Sequence, residues 1–163
     1  MELIKHTSNW VSGEVFQGKI MLVLGVIICI GALFILRNNN EILKGMVIPM
    51  GLIILILIGY GSMQVIARPK HLDTVSESHT TNPKQALETE LIKAMKDDKT
   101  YSIVPYIWFV GIAIAAIVFF LSSQYYYKGL GLGLIGLFLT MLILDATLHH
   151  RLAVYLKALK QLI

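Results

Sequence analysis

The sequence predicts an all-α integral membrane protein with four transmembrane helices arranged as two hairpins. Three observations carry that prediction. Segments 20–36, 46–66, 103–121 and 130–148 are almost continuously apolar, and the only formally charged side chain in them is Asp145. The chain is 56% apolar and 15% charged, with a mean hydropathy of +0.70; an ordinary soluble domain is about 45–50% apolar and about 25% charged. And 11 of the 14 Lys and Arg residues lie before the first span, between the second and third, or after the fourth. This composition excludes a disordered chain, a basic nucleic-acid-binding domain and a typical soluble enzyme. No nucleic-acid partner is expected. A barrel is excluded too, because "LIILILIGY" (52–60) is apolar on every side and barrel strands alternate.

Residues 1–163 read as one four-span domain. Its N-terminal segment, 1–19, is expected to lie in the interface, with residues 2–16 as a short surface helix and Trp10 at headgroup level. The first span, 20–36, is the shortest. Lys19 and Arg37 bracket it and can snorkel. No cleavage-site pattern follows it, so it is expected to be retained. Cys29, the only cysteine, falls mid-span and reads as an apolar filler. Loop 37–45 is a tight polar turn. The second span, 46–66, carries Pro49 in its first turn, where proline is tolerated.

Arg68-Pro69 is expected to end the second span. Loop 67–102 then begins with a flexible linker, "DTVSESHTTN". Asn82-Pro83 marks the start of an amphipathic loop helix over 83–98, with Leu87, Leu91, Ala94 and Met95 opposite Lys84, Glu88, Lys96 and Asp97. Loop 122–129 places Tyr125, Tyr126 and Tyr127 in an aromatic belt. The tail, 149–163, is expected to be a helical C-terminal extension of the fourth span. Its stripe is Leu152, Tyr155, Leu156 and Leu159, with Arg151, Lys157 and Lys160 kept wet.

An internal likeness exists at an offset of 84 positions, where Lys44-Gly45 and Lys128-Gly129 open the second and fourth spans. Identity is low, and chance resemblance between two hydrophobic hairpins is the expectation. Gly131-Leu-Gly133-Leu-Ile-Gly136 matches a dinucleotide-binding pattern, but that motif needs a strand, a turn and a helix N-terminus in water. The glycines read better as packing residues. Gly129 and Gly133 stand four apart, as do Gly111 and Ala115, so the third and fourth spans are expected to pack closely.

Asp145 is the residue to single out. A carboxylate inside a span should face protein or water. It is expected to pair with His149, or across the bundle with Arg68 or Lys19. Asp145, His149 and Arg68 are therefore the candidates for a polar, proton or ion pathway. Adjacent histidines point about 100° apart on a helix, so His149 and His150 do not make a metal site with Asp145. No catalytic residue, metal or cofactor is assigned, and no family resemblance is claimed.

The expected function is a non-enzymatic accessory or scaffold component of a membrane assembly. Its partners would be the bilayer and either a second copy or another membrane protein, met through 83–98 and the C-terminal tail. The alternative is a small oligomeric channel or transporter with Asp145 near its cytoplasmic mouth; an enzyme at the membrane interface comes third. The inner (plasma) membrane is the expected location, and the positive-inside rule places both termini and the long loop in the cytoplasm.

Overall fold

A computed structural model describes all 163 residues. It contains four α-helices and no strand: α1 (Glu2–Leu36), α2 (Glu41–Thr81), α3 (Pro83–Leu121) and α4 (Tyr125–Lys160). Each holds a stretch long and apolar enough to cross a membrane. Each runs well past its apolar stretch at one end. At 1.5 Å per residue α2 is about 60 Å long, roughly twice the thickness of a hydrocarbon core. The surplus of all four helices gathers at one end of the bundle, the polar end, together with both termini and the α2–α3 junction. The α1–α2 and α3–α4 connections lie at the other end.

Several sequence expectations change here. Residues 2–16 are not a separate surface helix but the first half of α1. Arg68-Pro69 does not stop α2, which runs on to Thr81. Pro69 is exposed, so its ring faces outward and costs one backbone hydrogen bond. In the polar run beyond it the buried Val75 packs the helix against the core, and the hydroxyls satisfy themselves on carbonyls of their own helix. Thr74 Oγ1 donates to the Lys70 carbonyl (3.0 Å), Ser76 Oγ to that of Leu72 (2.8 Å) and Thr81 Oγ1 to that of Glu77 (3.2 Å). The linker is thereby reduced to one residue, Asn82. Its Oδ1 accepts from the Gln85 backbone N–H at 3.2 Å, and Pro83 supplies the first position of α3. Residues 83–98 are the first half of α3 rather than a distinct loop helix. Leu87, Leu91 and Ala94 face the core, but Met95 is exposed. Residues 149–160 are the end of α4, packed into the bundle rather than projecting from it.

α2 and α4 form the central pair. α1 packs along α2 and α3 along α4, while α1–α4 and α2–α3 touch only over short stretches. The larger apolar core lies at the polar end. It joins Leu3, Trp10 and Val11 of α1, Val75 of α2, Ala86 and Ala94 of α3, and Leu152, Tyr155, Leu156 and Leu159 of α4. Water drives this burial. The smaller core, Met21, Ile53, Leu57 and Leu137, lies between the spans. There lipid removes that drive, and small residues set the approach of the helices.

Those small residues are not distributed as the sequence suggested. Gly129 and Gly133 face α2, not α3. A Cβ at Gly129 would collide with the Ile42 carbonyl, and one at Gly133 would lie 2.9 Å from Pro49. The α3–α4 contact uses Gly131, against Ala115 and Phe119, and Gly111, against Phe138. Gly131 and Gly133 are about 200° apart around the helix, so one glycine run serves two neighbours.

The likeness at offset 84 is also more than shared hydropathy. α2 and α4 begin at positions 84 apart. Of the seven buried residues of α2, six fall on buried residues of α4 at that offset, Pro49 on Gly133 and Ile53 on Leu137 among them. Gly45 abuts the Tyr126 carbonyl and Gly129 abuts that of Ile42, and these two partners are themselves 84 apart. Such reciprocity is the mark of a two-fold contact. The two hairpins are thus related by a pseudo-two-fold axis along the bundle.

Candidate functional site

The buried face of α1 recurs every three or four residues: Leu3, Thr7, Trp10, Glu14, Gln17 and Met21. That spacing carries three polar side chains into the interior. The central pair answers with Gln64 and Tyr155, and α3 with Glu90; all three are buried. Together they build a polar cluster where the spans meet the polar end.

The layer nearest the spans is an ion pair. Arg68 Nη2 lies 3.1 Å from Glu14 Oε2, which also accepts from Gln64 Nε2 at 3.2 Å. The Arg68 guanidinium covers the Trp10 ring, 4.6 Å from its centroid. Below it, Trp10 stacks on Tyr155 at 4.9 Å with 5° between the planes, and His71 meets its edge at 5.9 Å.

The next layer is a chain of hydrogen bonds. Tyr155 donates to Glu90 Oε2 at 3.1 Å, and the Thr7 hydroxyl lies 2.8 Å from that of Tyr155. Lys93 Nζ is 3.2 Å from His71 Nδ1. An ammonium only donates, so Nδ1 accepts, and Nε2 carries the proton it gives to Glu90 at 3.1 Å.

The two buried glutamates shift in opposite directions. Burial raises Glu14, and the nearby Arg68 and Arg151 offset only part of that. Burial also acts upward on Glu90, but His71, Lys93 and Tyr155 outweigh it and the net shift is down. The Tyr155 hydroxyl is pushed up, first by burial and then by the Glu90 charge; Tyr101 is pushed up by burial, with Tyr60 and Glu14 adding to it.

No known family model matches the chain, and neither a curated protein nor a solved structure is detectably similar to it.

The candidates read from the sequence occupy three different places. Trp108 Nε1 donates to the Asp145 carboxylate. His149 Nε2 lies 3.0 Å from Asp98 Oδ1 and its ring stacks near Tyr101, at 6.2 Å. Arg68 belongs to Glu14. Asp145 therefore meets neither His149 nor Arg68, and Lys19 forms no ion pair. No three His, Cys, Asp or Glu side chains converge in a way that could hold a metal ion. The cluster itself was missed, although Trp10, Glu14 and Gln17 share one helical face at a spacing visible in the sequence.

Two grooves flank the cluster. One, about 590 Å³, opens between α2 and α3 beside His71, Glu77, Glu90 and Lys93. The other, about 270 Å³, opens between α1 and α4 beside His6, Asn9, Trp10, His150, Arg151 and Tyr155. They are counterparts under the pseudo-two-fold: at offset 84 His71 falls on Tyr155, Glu90 on His6 and Lys93 on Asn9.

Proposed function

We propose that this chain is a non-enzymatic accessory or scaffold component of an inner-membrane assembly, oriented with both termini and the polar end in the cytoplasm. The orientation rests on the 11 Lys and Arg residues gathered at that end. The observation that carries the functional reading is the closed interior. Met21, Ile53, Leu57 and Leu137 fill the space between the spans next to the Glu14–Arg68 layer. Most polar groups of the cluster are engaged with one another and brace the polar end, while Trp10 Nε1, Gln17 Oε1 and Gln64 Oε1 have no hydrogen-bond partner in the chain. A partner would meet this end on the outer face of residues 83–98, where Ile92 and Met95 stand exposed one turn apart.

The test uses the full chain with Ile92→Lys and Met95→Lys, purified from its native membrane beside the unaltered protein. A partner recovered at fixed stoichiometry with the unaltered chain and lost with the variant supports the reading. Ion flux from the purified chain alone in liposomes refutes it. Flux would favour the second reading, an oligomeric channel or transporter with Asp145 near its cytoplasmic mouth. That reading draws on Asp145 being the one carboxylate within the spans. An enzyme at the interface ranks third, because the cluster sets no nucleophile against a free base.

A further inference from the structure

The geometry points to a phosphate-binding site in the α1–α4 groove, built by Arg151, His150, His6 and the indole N–H of Trp10. This is independent of the accessory reading. Arg151 follows the end of the fourth apolar segment by three residues, about 5 Å along the helix. Headgroup layers extend about 5–7 Å beyond the hydrocarbon core. The guanidinium is therefore level with lipid phosphates and also open to the aqueous side through the groove.

The lining is one-signed. His6, His150 and Arg151 are its ionisable cations, and no Asp or Glu lines it. Arg151 lies near the buried Glu14 but makes no ion pair with it or with any other carboxylate, Glu14 being paired to Arg68. Its guanidinium lies across Gly13, where any Cβ would collide with it; the missing side chain lets the planar group rest on α1. Trp10 supplies the second, independent observation. It lines the groove at 8% exposure, and its buried Nε1 has no acceptor in the protein. An unmet buried donor is costly, and native structures keep few of them. An acceptor entering from the groove would relieve it.

The counterpart groove between α2 and α3 serves as an internal control. Its Glu90 and Glu77 offset Lys93 and His71. Where that groove has Glu90, this one has His6. The same frame thus carries a self-neutralised site once and an unpaired cationic site once. A planar guanidinium in the same groove as an unpaired indole suits a tetrahedral anion, which would accept two parallel bonds from arginine and draw the indole N–H toward it as a third donor. The phosphate could belong to an anionic lipid headgroup or be free.

The experiment titrates the detergent-purified full chain with inorganic phosphate in one arm and short-chain phosphatidylglycerol in the other. Thermal unfolding is followed, together with tryptophan fluorescence. Saturable stabilisation in the lipid arm alone assigns a headgroup; in the phosphate arm alone it assigns free phosphate; in both, the site takes either. Arg151→Gln should weaken the response about tenfold, and Trp10→Phe, which keeps the ring stack but removes the donor, about three- to tenfold. Lys70→Gln, which removes an exposed cation of the same end outside both grooves, should leave it unchanged. If Arg151→Gln does not fold, the exposed His150→Gln carries the same test. No saturable stabilisation in either arm, or a response undiminished by the groove variants that fold, overturns the assignment.

Discussion

Replacing Gly129 by alanine should force the central helix pair apart. The added methyl would strike the Ile42 carbonyl, with the Ile42 carbonyl carbon 2.7 Å and its Cα 2.9 Å away. Carbon atoms prefer about 3.5–4.0 Å, so α2 and α4 must separate by roughly 1 Å, which forfeits about a quarter to a half of the local dispersion energy. Backbone cannot swing aside as a side chain can. The cost should reach the upper end of the overpacking range, about 3 kcal/mol. Gly45→Ala should cost about the same, because its methyl would meet the Tyr126 carbonyl and the Leu130 nitrogen across the same axis. Gly59→Ala and Gly136→Ala are the controls. Neither methyl meets anything within 4 Å, so each should be neutral or gain about 0.5–1 kcal/mol from helix propensity. Equilibrium unfolding of the purified protein in mixed detergent gives all four values. The reasoning fails if Gly129→Ala is as stable as Gly136→Ala, or if the two central glycines differ by more than about 2 kcal/mol, a gap beyond ordinary context dependence in overpacking.

Further outcomes follow from the polar end. Glu90 lies below its ordinary 4.5, so its contribution is present above pH 4.5 and fades as pH falls through its lowered value; Glu90→Gln should flatten that acid limb of a stability–pH scan. Glu14 lies above 4.5, so its contribution is present below pH 4.5 and fades as pH rises through its raised value. Arg68→Met should steepen that decline, and an unfolding scan in which acid fails to restore the variant would contradict it. Trp108→Phe removes the donor held to Asp145 and should cost about 2 kcal/mol, with Asp145→Asn in the same background recovering most of it in a double-mutant cycle. Asn82→Ala should cost about 1 kcal/mol through loss of the α3 cap; hydrogen exchange should rise at Gln85 and Ala86, and unchanged protection there would remove the cap argument.

The spans were legible because a run of about 20 apolar residues has few readings other than a crossing helix. What lay beyond them was not. Trp10 carries the composition signal of an interfacial anchor, yet its ring is spent on Tyr155, a pairing across 145 positions that no local period encodes. The stretch 73–81 looks like a linker because Val75 is its one aliphatic residue. In a four-helix core that single contact packs the helix against its neighbours, and the hydroxyls are satisfied on their own backbone. Asp145 drew notice as the lone charge in the spans, whereas Glu14 lay in a segment already read as surface. The offset of 84 held a signal left unused: it sets Glu14 opposite Asp98, and both are acids paired to a base on the following helix. Gly129 and Gly133 were recognised as packing residues, but their partner depends on how α4 is rotated, and spacing alone leaves that open.

The unbroken helices also act as levers. α2 passes from the groove beside His71 to the turn at Asn40 without a hinge other than Pro49 and Pro69. Over about 60 Å, a tilt of roughly 5° at one end displaces the other by about 5 Å. Pivoting near the turn at Asn40, α2 would therefore swing by about 4 Å at the polar end, enough to open or close the groove beside His71, while Tyr125–Tyr127 stay against Ile42. The crossing at Gly45 and Gly129, with backbone against backbone, would be the fulcrum.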